Sequence, residues 1–253
     1  MSASLNSGSD AGANRYDLIV VGAGVSGCEA ALSCARGGLN VLLVTTSLDT
    51  VYNLVGEGAP LTPPPGTLLA ELCGAETSVA VAPFELHRRA KTSVEHHPNL
   101  HLLQSSVSSL LAEKGQVRGV STWEGVDRFA PRVALCAGSF LRARLRVGAL
   151  TETSGRLSEM SYDDLYDDLF SRGFGFDEAQ LEAPSSRGAP PYTVSCQHFS
   201  RAEWRADFAL ARLYGLYAAG VCAAGYLSYE DAAAQGKALA RILLEAATHS
   251  PEL

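Results

Sequence analysis

The hydrophobic positions along the chain switch between two periods. Tyr16–Val21 (YDLIVV) is a short unbroken apolar run rich in β-branched residues, the pattern of a strand covered on both faces. Cys28–Arg36 is Ala-rich and helix-forming, and Gly37 and Gly38 close it. Asn40–Val44 (NVLLV) is a second buried strand, so the domain opens with a βαβ unit. From Ser47 to Pro83 both periods fade among Gly56, Gly58, Pro60 and Pro63-Pro64-Pro65-Gly66. This predicts an irregular insertion over 47–83 with one short helix at Thr67–Leu72. Phe84–His97 reads as a helix stopped by Pro98. Strands are predicted at His101–Gln104, Val107–Leu111, Val117–Trp123 and Arg132–Cys136, with Lys114-Gly115 as a hairpin turn. Tyr162–Phe170 reads as an acidic helix ended by Gly173. Strands near Phe174–Phe176 and at Tyr192–Cys196 flank a Pro- and Ser-rich loop. Gly215–Val221 is a last short strand, and Tyr229–Ala246 a terminal helix with Ser228 as N-cap and Asp231 completing a capping box.

These elements predict an α/β, Rossmann-like fold with a parallel central sheet, a small antiparallel β-layer near 101–130 and the irregular insertion. Residues 1–14 read as a disordered tail and 15–248 as a single domain, with 137–213 an inserted, substrate-side subregion. At 253 residues and 47% hydrophobic content the chain can bury one sizeable core. No apolar run approaches the ~20 residues that cross a bilayer. The first residues lack a basic stretch followed by an apolar one, so the expected location is cytoplasmic and no membrane partner is expected.

The chemistry concentrates in Gly22-Ala23-Gly24-Val25-Ser26-Gly27, a GxGxxG between the first strand and the first helix. The first glycine permits the tight turn, the second lets the backbone approach a pyrophosphate, and the third lets the helix pack on the strand. Val25 and Ser26 complete the phosphate turn at the helix N-terminus. The acidic residue that usually binds ribose is replaced by Thr45 and Thr46, whose hydroxyls are neutral partners. Two further pieces favour FAD. Val133–Ser139 (VALCAGS) resembles the strand and small-residue turn beside the cofactor in disulfide-reductase-like flavoproteins. Leu216–Gly220 (LYAAG), followed by a loop and a capped helix, resembles their second FAD fingerprint. A helix N-terminus there would stabilise a reduced flavin anion.

Asp17–Ala31 (DLIVVGAGVSGCEAA), Leu42–Thr50 (LLVTTSLDT), Ala137–Leu141 (AGSFL), Gly155-Arg156 and Ser228–Gly236 (SYEDAAAQG) resemble the GidA/MnmG flavoproteins. That family contains the FAD subunit that modifies the wobble uridine of tRNA with a GTPase partner. The resemblance implies a two-motif FAD-binding fold and explains the paired threonines. Full-length members are more than twice as long. The family's Ser-Cys-Asn-Pro stretch is replaced by Val51–Gly66, its Lys-Thr-Gly-Thr-Pro stretch by Leu181–Gly188, and its C-terminal tRNA- and GTPase-binding region has no counterpart. The expected protein is a short GidA-like form without the uridine-modifying activity.

FAD is expected on Gly22, Gly24, Val25, Ser26, Gly27, Thr45 and Thr46, on Val107 through its backbone to adenine, and on Ala137, Gly138, Gly220, Val221 and Gln235. No catalytic residue or metal ligand is assigned. The first expectation is an FAD-dependent oxidoreductase whose substrate and reductant the sequence does not name. The alternative is an accessory flavin-binding subunit that acts with a protein partner and is linked to tRNA modification. The net charge of −7 argues against tRNA binding by the chain alone. Arg142, Arg144 and Arg146 alternate and form either a phosphate-binding stripe or, more in keeping with that charge, a solvated face balanced by nearby acids such as Asp163, Asp164, Asp167 and Asp168. Tyr226, Tyr229 and His198 are candidates for the flavin side of the site, as are the thiols of Cys196 and Cys222. The six histidines, including His249, show no metal-ligand spacing, and the six cysteines form no CxxC pair.

Overall fold

The computed structural model describes residues 14–54, 61–74, 82–157, 159–183 and 190–248. The expected tail up to residue 13, the insertion segments 55–60 and 75–81, the Pro- and Ser-rich stretch 184–189 and His249 lie outside the described residues. In chain order the first elements are β1 (Leu18–Val21), α1 (Val25–Arg36), β2 (Val41–Thr45), α2 (Leu68–Cys73), α3 (Pro83–Glu95) and β3 (Leu100–Gln104). Next come β4 (Val107–Glu113), β5 (Gln116–Thr122), β6 (Asp127–Phe129), β7 (Val133–Leu135), β8 (Arg144–Val147), β9 (Leu150–Glu152), β10 (Ser154–Arg156) and β11 (Glu159–Met160). The chain ends with α4 (Asp163–Ser171), β12 (Phe176–Ala183), β13 (Tyr192–Phe199), β14 (Leu216–Ala218), α5 (Val221–Ala224) and α6 (Tyr229–Thr248).

Five parallel strands in the order β14-β7-β1-β2-β3 form the central sheet. Leu18, Val20, Val41 and Leu43 face one cluster with residues of α1, α3 and α6. Ile19, Val21, Leu42 and Val44 face the other, with Leu110, Val117 and Val120 of the β4–β5 hairpin and Leu165 and Leu169 of α4. Both faces are covered, which is why these strands are continuously apolar rather than alternating. The β1-α1-β2 connection runs to one side of β1 while β7 adds on the other. The strand order therefore reverses at β1, and a crevice opens beyond the carboxyl ends of the strands.

Helices α1 and α6 lie back to back at close range. A Cβ on Gly236 would collide with the Ser26 carbonyl, so α6 approaches the first turn of α1 as only glycine allows. Ser228 Oγ accepts from the Asp231 amide at 3.0 Å and donates to the Asp231 carboxylate at 2.9 Å, capping α6 as expected. In the hairpin turn Lys114 has φ 50° and Gly115 φ 77°, the two positive values that a two-residue turn between twisted strands demands.

Several expectations need correction. The segment at 101–104 does not belong to the antiparallel layer; it is β3, paired in parallel with β2 from Val41↔Leu100 onward, and the layer is β4-β5-β6. Helix α1 starts at Val25, inside the glycine motif, rather than at Cys28. The last strand stops at Ala218, because Gly220 turns the chain with φ 81° and Val221 starts α5. The subregion 137–213 holds a four-stranded antiparallel sheet, β12-β13-β8-β9, and the short hairpin β10-β11. Of that sheet only the alternation at Arg144–Arg146, fragments of β13 and the first residue of β12 were legible. Among the described residues no helix is long and apolar enough to cross a membrane.

Candidate functional site

The crevice is a cavity of about 500 Å³. Its floor is built from the strand ends: Gly22 after β1, Thr45 and Thr46 at β2, Cys136, Ala137 and Gly138 after β7, and Gly220 and Val221 after β14. The glycine motif divides its labour in space. Gly22 has φ 102° and passes so close to the Cys136 carbonyl that a Cβ would collide. A Cβ on Gly27 would strike the Gly22 carbonyl, so this residue sets how closely α1 packs on the turn. A Cβ on Gly24 would meet nothing within 4 Å and would project into open space in a turn that lines the cavity. No side chain caps α1 and no acidic residue stands in its first turn. An unblocked helix N-terminus with a bare glycine beside it fits a pyrophosphate.

Ten of the thirteen expected cofactor residues line this cavity: Gly22, Gly24, Val25, Ser26, Thr45, Thr46, Ala137, Gly138, Gly220 and Val221. Gly27, Val107 and Gln235 do not. Val107 is fully buried between the sheet and α4. Gln235 acts from behind, its Oε1 accepting the Gly220 amide at 3.0 Å. The Ser26 hydroxyl donates to the Ala232 carbonyl of α6 at 2.9 Å, and Thr45 Oγ1 donates to the Ser47 carbonyl at 3.2 Å. Replacing Gln235 by Leu leaves the Gly220 amide without its acceptor, a cost of about 1–3 kcal/mol for a buried donor. The expected result is FAD binding weakened about tenfold, read by fluorescence of released FAD. Unchanged retention would show that the 220 turn holds its shape without this bond.

Besides the candidates Tyr226 and Tyr229, the far wall carries residues to which the sequence assigned no role. Ser139 Oγ donates to the Gly155 carbonyl at 3.1 Å, and the Phe140 ring lies so close over Gly155 that a Cβ there would collide with it. These contacts stitch the turn after β7 to β10 and set Arg156 into the cavity wall. Arg156 Nη1 lies 3.5 Å from Glu159 Oε1, and Glu159 Oε2 accepts from Thr50 Oγ1 at 2.9 Å. Tyr192 and Tyr229 line the same wall, and Tyr226 stands at the edge with its ring largely exposed. The only sequence signal for Arg156 was its place in the Gly155-Arg156 resemblance; nothing local marks Glu159 or Tyr192.

The flavin-side thiol candidates are core residues. Cys222 is fully buried, with Sγ bonded to the Leu135 and Ala219 carbonyls, and Cys196 packs with Ala143, Leu145 and Val194. Burial pushes both thiols up, Cys196 to about 11 and Cys222 to about 12. Cys136 lines the cavity, but burial raises its thiol well above the ordinary value. None of these supplies a thiolate at neutral pH. His198 Nδ1 lies 3.1 Å from the Phe199 carbonyl, and its ring packs near Gly225. The arginine row is not a free stripe. Arg142 lies outside β8 with φ 46° and pairs with Asp167 at 2.6 Å, Arg144 pairs with Asp163 at 2.9 Å, and Arg146 Nε donates to the Gly148 carbonyl. Desolvation opposes ionisation of Asp163, yet bonds from Arg144 and Ser161 hold its carboxyl below the usual range.

A family model described as glucose inhibited division protein A matches residues 17–82 and 73–185. The tRNA uridine 5-carboxymethylaminomethyl modification enzyme MnmG of Chlamydia caviae is 32% identical over 216 residues, 75% of this chain and 34% of that protein. The corresponding MnmG of Lactobacillus delbrueckii subsp. bulgaricus is 33% identical over 188 residues, 64% of this chain and 30% of the relative. The chain thus spans about a third of the length of these curated relatives. The crystal structure of the GidA-related protein from Thermus thermophilus is 40% identical, with a TM-score of 0.80, and the match covers 91% of this chain and 99% of that one. Aquifex aeolicus GidA, at 15% identity and a TM-score of 0.81, shares the fold over 96% of this chain and 65% of its own.

Proposed function

Since the chain belongs to the glucose inhibited division protein A family of FAD-binding flavoproteins, we propose that it is an FAD-dependent oxidoreductase acting on a small molecule. The observation that supports this best is the continuity of the cavity. One space runs from the glycine turn and the paired threonines to a second wall built by Arg156, Glu159 and Tyr192. That polar and aromatic wall offers the few convergent groups by which a reacting partner would be oriented.

FAD, when bound, supplies a reversible two-electron acceptor for hydride. The Gly24 turn and the first amides of α1 would hold its pyrophosphate. Thr45 and Thr46 stand at the end of β2 where a ribose is held. Gly220, fixed by Gln235, and Val221 would border the flavin, and Phe140, Tyr192 and Leu227, which line the same cavity, would shield it from water. Among the described residues, the cysteine that lines the cavity is Cys136, and burial raises its thiol, which favours hydride chemistry over thiol exchange.

The test is anaerobic mixing of the FAD-loaded protein with NADH and with NADPH, followed by visible absorbance. Bleaching of the flavin and steady turnover with an acceptor are expected. Tight FAD with no reduction by either nucleotide would instead favour an accessory subunit that works on a partner protein. Uptake of FMN in place of FAD would sink the cofactor assignment.

The chain alone is expected not to bind tRNA tightly. The ion pairs of Arg142 and Arg144 and the net charge of −7 support this reading. A gel-shift titration in about 0.15 M salt is expected to show no complex below micromolar protein. A submicromolar complex lost on mutating Arg142, Arg144 and Arg146 would overturn it.

A further inference from the structure

We propose that Arg156 forms a recognition subsite for a monoanionic carboxylate, through which this protein holds the small molecule that reacts with its flavin. This rests on the proposed function above and names the substrate class of the same cavity. Three observations carry it.

The first is placement. Arg156 lines the cavity with its side chain 22% exposed, so its guanidinium is neither in bulk water nor sealed in the core. Its backbone is held by the packing of Gly155 under Phe140 and by the Ser139 bond, both from the turn that follows β7. The wall that carries the cation and the turn that borders the cofactor are therefore one rigid unit.

The second is unused capacity. Among the described residues, the ion-pair partner of Arg156 is Glu159, with Nη1 3.5 Å from Oε1. That is beyond a good charge-assisted hydrogen bond, which closes to about 2.7–2.9 Å. Glu159 is itself restrained by Thr50 at 2.9 Å. Among the described residues, no hydrogen-bond acceptor meets the Nε and Nη2 edge of the guanidinium, and that edge is the fork that takes a carboxylate bidentately. By contrast Arg36, Arg144, Arg172 and Arg212 each spend two nitrogens on a carboxylate.

The third is charge balance. Among the described residues, Glu159, Glu182 and Glu230 line the same cavity, so one cation faces three carboxylates, of which Glu230 already accepts from the Thr62 amide at 3.1 Å. A dianionic phosphate would add two negative charges to that set, and a carboxylate adds one. Tyr192 stands where it feels the charges of both Arg156 and Glu159, and burial keeps its hydroxyl protonated and able to donate. The apolar faces of Phe140 and Leu181 suit the flat or aliphatic body of such an acid.

The experiment is calorimetric titration of the FAD-loaded protein with benzoate at about pH 8, with phenyl phosphate as the dianionic counterpart. FAD uptake is measured first on each variant. Wild type is expected to bind benzoate saturably and phenyl phosphate at least about tenfold more weakly, R156Q to lose at least about tenfold in benzoate affinity, and R156K to recover part of it. A loaded wild type that gives no benzoate heat, an R156Q that binds benzoate equally, or a preference for phenyl phosphate overturns the subsite. If R156Q alone fails to hold FAD, Arg156 belongs to the cofactor site and the proposal is wrong. A wild type that takes up no FAD sinks the proposed function and this proposal with it.

Discussion

Replacing Gly24 by Val is expected to abolish useful FAD binding while leaving the fold intact. At this residue φ is −73° and ψ −171°, an extended conformation that valine adopts freely. The added Cβ meets no protein atom within 4 Å. The cost to the empty protein is therefore small, a few tenths to about 1 kcal/mol for exchanging a glycine N-cap. The methyls instead fill the space next to the unblocked α1 N-terminus, where the pyrophosphate would otherwise touch backbone. Affinity is expected to fall at least about a hundredfold, or about 2.7 kcal/mol. Two neighbours give the contrast. Ala at Gly22 or Gly27 would drive a Cβ into the Cys136 or Gly22 carbonyl, so these variants are expected to unfold rather than merely lose cofactor. Thermal denaturation of apoprotein and FAD titration of the three variants separate the cases. Wild-type FAD affinity in Gly24→Val would mean that the ligand does not cross this turn.

Gly22 and Gly27 were legible from sequence because each serves a backbone approach that no other residue permits, Gly24 because it leaves the α1 N-terminus bare, and all three because β1, α1 and β2 follow one another without interruption. The central strands were equally plain, since burial on both faces leaves an unbroken apolar signature. The sheet in 137–213 was not. Strand β12 reads FDEAQLEA, with Asp177, Glu178 and Glu182 obscuring any alternation. What makes it a strand is eight-residue pairing with β13, a fact absent from the local pattern. Gln235 looked like a cofactor contact because it follows the last fingerprint; its partner, the Gly220 amide, lies fifteen residues earlier and becomes visible only in three dimensions. The second wall escaped for the same reason. Thr50 and Glu159 are separated by 109 residues and meet because β10-β11 folds back over the β2 end.

Glu29 is a charged residue of α1 that no local sequence signal marks as buried. It is fully buried, and its carboxylate accepts from the Tyr52 hydroxyl at 2.8 Å, the Leu68 amide at 2.7 Å and the Leu69 amide at 2.8 Å. It thus caps the first turn of α2 from the outside and ties Tyr52, whose φ is 55°, to α1. Glu29→Ala strands three buried donors, and the expected loss is about 3–5 kcal/mol, a large part of the stability of an ordinary domain. The segment bearing Thr50 and Asn53, which lines the cavity, is expected to loosen first. Glu29→Gln keeps the shape but turns an NH₂ toward a donor, and an intermediate loss is expected. Desolvation raises the Glu29 carboxyl above its ordinary 4.5, against the bonds from Leu68, Leu69 and Tyr52 and the charge of Lys237. A raised acid favours the protonated folded form. Its stabilisation is full below 4.5 and is lost as pH rises through the raised value. The stability advantage of wild type over Glu29→Gln is therefore expected to be larger at about pH 5 than at about pH 7.5. Denaturant titrations at the two pH values measure it. An advantage that grows with pH would mean that the three donors outweigh burial and hold Glu29 ionised.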